Sequence, residues 1–155
     1  MKQRDQVAMT ADEALALLAA GRKVQLASNG RDGFPHLVTM YYVLSGRQIA
    51  FWTYRKSQKA LNLARDPRIS CLVEDGQEYF DLRGVLVLGI AHKIDDTARI
   101  TDIGRGITAV VGGPLAEADP GALDEYVAGA ASKRYAYLVE PRRIISWDHT
   151  KLASN

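Results

Sequence analysis

Three strand patterns, joined by turns of a few residues, fill positions 23–53 and constrain this chain more than any other feature. Lys23–Ser28 alternates, with Val24 and Leu26 on one face, as a half-buried strand does. Asn29-Gly30-Arg31-Asp32-Gly33 is rich in residues that tolerate positive φ and reads as a turn. Pro35–Leu44 is the next strand, Ser45-Gly46-Arg47 reverses the chain, and Gln48–Thr53 follows. Parallel neighbours need a crossover of about a dozen residues or more, usually a helix. These connections are too short for that, so the strands pair antiparallel, and a doubly wound sheet is disfavoured.

The rest of the chain adds strands and sets helices apart from them. Thr10 and Glu13 form a capping-box pattern, Leu15, Leu17 and Leu18 follow, and Gly21 ends the predicted helix. Ser57–Arg65 reads as a short helix capped by Ser57, with Ala60, Leu61 and Leu63 inward and Pro67 discouraging helix at Asp66. Arg68–Glu74 is a fourth strand, and Asp75-Gly76 turns the chain. Tyr79–Ile94 is one long strand or a bent pair, in which Gly84 and Gly89 mark bends or bulges. Asp95–Val111 has Ile100, Ile103 and Ile107 at helical spacing, against the weakening effect of Gly104 and Gly106. After a loop from Gly112 to Pro120, Ala122–Ala131 is a helix with Leu123, Tyr126 and Val127 inward. Tyr135–Val139 and Ile144–Trp147 are strands on either side of Pro141. The predicted fold is mainly β, an antiparallel barrel with peripheral helices that limits open strand edges, in a single domain over 1–155.

Composition narrows the functional classes. A net charge of +2 is too small to predict nucleic-acid binding. The single Cys71 rules out an intramolecular disulfide, fits a reducing compartment, and sits in an apolar run as a buried small hydrophobe would. The N-terminal residues lack the apolar run of a signal peptide, and no segment approaches the ~20 apolar residues of a membrane-spanning helix. Cytoplasm, with no membrane partner, is the expectation. His36, His92 and His149 have no metal-ligand spacing, so no metal is expected. There is no Gly-x-Ser-x-Gly nucleophile elbow and no Gly-x-x-x-x-Gly-Lys phosphate loop. Gly104-Arg105-Gly106 lacks the rest of a dinucleotide fingerprint. No catalytic acid or base is assigned.

One segment does suggest a ligand. Phe51, Trp52 and Tyr54 end a strand that runs into Arg55, Lys56, Ser57 and Lys59, while Asp66 is the one acid facing the basic residues from 55 to 68. A helix N-terminus carries free N–H groups and partial positive charge, so it attracts phosphate. Ser57 and Lys59 could bring a hydroxyl, a backbone N–H and an ammonium onto one phosphate. On spacing alone, a solvated basic turn with an ordinary cap explains the segment equally well. Trp52 and Trp147 read as core residues before cofactor platforms. Tyr41 and Tyr42 point to opposite faces of their strand, so at most one faces a given pocket.

Residues 53–63, Thr-Tyr-Arg-Lys-Ser-Gln-Lys-Ala-Leu-Asn-Leu, followed by Ala-Arg-Asp-Pro-Arg-Ile-Ser to position 70, resemble the pyridoxamine 5'-phosphate oxidase-like superfamily. Gly33 to Tyr42 resembles the strand along which that family lays its tricyclic ring, and Ile145 to Leu152 resembles the ending of its deazaflavin-using members. The resemblance implies a split β-barrel of the FMN-binding type, with a Greek-key arrangement, and a homodimer holding the cofactor between subunits. It implies that Ser57 and Lys59 bind phosphate, beside Arg55 and Gln58, and that the backbone of Val38, Thr39 and Met40 faces the ring, with Thr53 at the ring or ribityl edge. Gln58 stands where the oxidase proper often has Arg. The Arg and Lys of its ring-facing strand are missing from Val38–Val43, which argues against pyridoxamine phosphate oxidation. The implied activity is a deazaflavin (coenzyme F420)-dependent oxidoreductase passing hydride to an apolar conjugated small molecule. An FMN-dependent enzyme of the same fold and a non-catalytic cofactor-binding protein are the alternatives. In either enzyme the ring carries the redox chemistry and the protein binds, orients and excludes water.

Overall fold

The computed structural model describes residues 2–153. Two helices come first, α1 (Gln3–Val7) and α2 (Ala11–Ala20). The capping box of α2 is present in full: Thr10 Oγ1 accepts from Glu13 N at 3.2 Å and Glu13 Oε2 accepts from Thr10 N at 2.7 Å. The strands are β1 (Lys23–Asn29), β2 (Pro35–Tyr41), β3 (Val43–Ser45), β4 (Gln48–Tyr54), β5 (Arg68–Asp75), β6 (Arg83–Ile94) and β7 (Arg134–Asp148). Helix α3 (Gln58–Arg65) separates β4 from β5, and α4 (Thr97–Val111) and α5 (Pro120–Ala131) separate β6 from β7. Among the described residues, no helix is long and apolar enough to cross a membrane.

All pairings are antiparallel, in the order β2-β1-β5-β6-β7-β4-β3. β2 and β3 stand at opposite ends of that order, yet Tyr42 alone separates them in the chain. The sheet must therefore curl until its ends meet, and the expected split barrel results. The single predicted strand Pro35–Leu44 is corrected to two, because the chain leaves β1 at Tyr41 and joins β4 from Val43 onward. Tyr42 makes the corner. Its N–H donates to Arg22 O at 3.3 Å, its hydroxyl donates to Leu18 O, and burial pushes the phenol up to about 12.

The two strands predicted around Pro141 are one, β7. Its edge is paired with β4 only from Arg134 to Leu138, so Pro141 lies where the missing N–H disrupts no second ladder. Opposite it, the register shifts between Leu88 and Gly89, leaving Arg142 as the extra residue of a bulge at the predicted glycine. Tyr79–Ile94 divides into a 3-10 turn, Tyr79–Asp81, and β6. Gly84 packs under Trp147, where a Cβ would overlap the indole.

Two apolar cores result. Inside the barrel, Val24, Leu26, Phe51, Ile69, Cys71, Val85 and Tyr137 pack together, capped by Leu17 and Leu18 of α2. Phe51 and Tyr137 face each other across β4 and β7 and stack with centroids 5.2 Å apart. Outside, Trp52 and Ala136, the next pair in that register, meet Ile100 and Ile107 of α4 and Val127 and Ala131 of α5. Gly104 belongs to this second core: a Cβ there would overlap the Trp52 ring, which explains a glycine inside a good helix. Leu61 and Tyr126, expected inward, are instead 54% and 46% exposed.

Candidate functional site

The basic segment after β4 folds as its residues dictate. Ser57 caps α3, its Oγ accepting from Ala60 N at 3.2 Å and from Thr53 Oγ1 at 3.1 Å. The hydroxyl proton of Ser57 remains free to donate. The amides of Gln58 and Lys59 stand ahead of the first intrahelical bond, Leu61 N to Ser57 O at 3.1 Å. Inside the helix, the fully buried Asn62 ties α3 to β1, donating to Ser28 Oγ at 3.1 Å.

The eight predicted cofactor residues do not all converge. Thr39 and Met40 of β2, Thr53 of β4 and Lys59 of α3 line one cleft of about 320 Å³. Tyr41, Trp52, Tyr54, Ile107, Val111 and Arg134 complete its walls, and none of these side chains is a carboxylate. Burial holds the Lys59 ammonium below the ordinary lysine range. Val38 is not among the lining residues; like Met40 it is half-buried with its side chain against the barrel core, which leaves the expectation for its backbone open. Arg55 turns toward β7, where Nε donates to Arg134 O at 3.3 Å and the guanidinium lies 5.1 Å from the Tyr135 ring centroid. Ser57 does not line the cleft but touches it through Thr53.

Gln58 faces a second, larger cleft of about 820 Å³ between α3 and the β1–β2 loop. Its Nε2 donates to Asn62 Oδ1 at 2.8 Å. Phe34, His36, Arg31 and Arg65 also line this cleft, and the buried Nδ1 of His36 has no partner there. The adjacent residues Gln58 and Lys59 thus face different clefts, so the N-terminus of α3 marks the boundary between them.

Sequence reasoning missed Arg134. It opens β7 opposite Tyr54, donates from Nη1 to Ala130 O at 3.0 Å, and lies 4.0 Å from the Tyr54 centroid and 4.8 Å from that of Trp52. Only its register with Tyr54 brings it to the cleft, and no local pattern encodes that. Arg22 is a second unforeseen contributor: it donates through Nε and Nη2 to Val110 O, closing the C-terminus of α4 beside Val111. Trp52 is both a core residue and a cleft wall, and Tyr41 faces the cleft while Tyr42, at the corner between β2 and β3, is buried. Cys71 is fully buried, and desolvation pushes its thiol up to about 12, so it is not a nucleophile at neutral pH.

No curated protein matches the chain. Among solved structures, the conserved hypothetical protein Rv2991 from Mycobacterium tuberculosis is 36% identical with a TM-score of 0.88, over 99% of this chain and 93% of that one. An F420 reductase is 22% identical with a TM-score of 0.64, over 83% of this chain and 93% of its own. A FAD-binding protein from Mesorhizobium loti is 21% identical with a TM-score of 0.66, over 89% of this chain and 93% of its own. The last two show the fold alone. The family model described as pyridoxamine 5'-phosphate oxidase matches residues 10–146, nearly the whole barrel. With the curled seven-stranded sheet, that match places the chain in the pyridoxamine 5'-phosphate oxidase family, among its split-barrel proteins.

Proposed function

We propose that this protein is a cytoplasmic deazaflavin (coenzyme F420)-dependent oxidoreductase that passes hydride to an apolar conjugated small molecule. It works as a homodimer, with the cofactor in a cleft between the subunits. The observation that carries this reading is the shared cleft of Thr39, Met40, Thr53 and Lys59, drawn from three elements and free of carboxylates. Such a lining suits an anionic ligand with a flat body. Lys59 and the leading amides of α3 hold its phosphate, Thr53 orients Ser57 toward the same group, and Trp52, Ile107 and Val111 exclude water. When bound, the deazaflavin ring would supply the hydride-transfer chemistry, and solvent at the open side of the cleft would supply the proton that completes the reduction, with no side chain assigned as the acid. The exposed outer face of β2, with Leu37 67% exposed beside Thr39 and Tyr41, is where a second copy would close the site.

Titration of the purified protein with deazaflavin and with FMN, followed by tryptophan fluorescence, tests the cofactor. Tighter binding of FMN would reverse the choice, and binding of neither would end the proposal. Lys59→Ala should weaken binding by ~1.5–3 kcal/mol, the usual worth of a charged hydrogen bond. Because burial lowers the Lys59 pKa, wild-type affinity should fall with rising pH earlier than an ordinary lysine would dictate. Unchanged affinity in that variant, or a flat alkaline profile, would remove Lys59 from the site.

A further inference from the structure

Arg134 is an unusual cation for its position. The ion pairs found among the described residues do not include it. Its place is fixed instead by the Ala130 carbonyl and by two aromatic rings. A guanidinium has five N–H donors in a planar fork, and one goes to Ala130, so an edge remains for a partner. Arg134 stands between two clefts: Glu125 lines the one toward α5 without forming an ion pair with it, and the one toward β2 holds a second cation, Lys59, and no acid. Two partly desolvated cations without a counter-charge favour an anion strongly, and the fork matches a carboxylate in bidentate geometry.

With Lys59 assigned to the cofactor phosphate, Arg134 is the cation left over. We propose that Arg134 is the specificity-determining contact for the substrate, and that the substrate is a planar conjugated acid, an aryl carboxylate, whose acid group pairs with this guanidinium. The ring body lies between Tyr41, Trp52 and Val111, in the part of the 320 Å³ cleft that a phosphate at Lys59 leaves open. This refines the apolar conjugated acceptor proposed above and rests on that reading, since it assumes that the cofactor occupies only the Lys59 side.

Equilibrium dialysis of 2-naphthoate and its uncharged analogue 2-naphthamide, with and without saturating deazaflavin, tests the assignment. The wild-type protein should bind the acid about ten- to a hundredfold tighter than the amide, the range expected for a charged hydrogen bond. Arg134→Met should bring that ratio close to one, and Arg134→Lys should restore part of it. The ratio is taken within each variant, so a general loss of folding moves both ligands together and leaves it intact. Equal wild-type binding of acid and amide, a ratio unchanged in Arg134→Met, or expulsion of naphthoate by the cofactor would each overturn the inference. If naphthoate fails while deazaflavin still binds through Lys59, only the substrate assignment falls. If deazaflavin fails as well, the proposed function falls with it.

Discussion

β4 and β2 are seven-residue strands of similar apolar character, yet they have opposite surroundings. Five successive residues of β4, Ile49 to Thr53, are buried, whereas β2 alternates between half-buried and exposed along its whole length. The difference comes from what lies outside the barrel. Trp52 projects outward from β4 into a second core built by α4 and α5. The outward residues Leu37, Thr39 and Tyr41 of β2 have no such cover. The candidate cleft takes residues from both strands and sits where the helical cover stops. Stability is thus concentrated at β4, while the exposed face of β2 is the one proposed for binding, and substitutions on the two strands should separate those roles.

The largest effect belongs to the inward face of β4. Phe51 is fully buried and stacks on Tyr137, so Phe51→Ala should cost about 3–5 kcal/mol in urea unfolding. A loss below about 1 kcal/mol would mean that the barrel interior tolerates a cavity that close packing forbids. The outward face of β4 is tested next, through its helical cover. In Gly104→Ala the new methyl would overlap the Trp52 ring, and overpacking costs about 1–3 kcal/mol. Helix propensity offsets up to about 1 kcal/mol of that. At Gly106, one turn-fraction away, the nearest atom to a Cβ is Val43 Cγ1 at 3.3 Å, so the same change there should be far milder. If the two variants melt alike, Trp52 is not held by Gly104 and the contrast between the strands weakens.

Much of this arrangement was legible where the signal is local. The Thr10–Glu13 capping box, the Ser57 cap, the halt at Asp66 before Pro67, and the glycine turns at Gly33 and Gly46 each act within a few residues, and each appears in place. What escaped depends on contacts between distant segments. The break at Tyr42 requires the Leu18 carbonyl and the closing of the sheet. The survival of Pro141 within β7 depends on where β4 ends its pairing. At the site, Lys59 could be read from its helix position, but Arg55 turns to the opposite side because Arg134 O and Tyr135 offer it partners there. Arg134 enters the cleft only through the β4–β7 register, which charge patterning in one sequence does not reveal.

The smallest expected effect is the most informative about β2. Leu37 is 67% exposed, and Leu37→Thr keeps a good strand former there, so the stability of an isolated chain should change by no more than about 0.5 kcal/mol. If a second copy covers this face, the same substitution should weaken association in sedimentation, while unfolding becomes less dependent on protein concentration. A cost above about 2 kcal/mol that does not vary with concentration would show that Leu37 is covered within its own chain. The contrast with β4 would then be false, and the face that a second copy covers would have to be sought elsewhere.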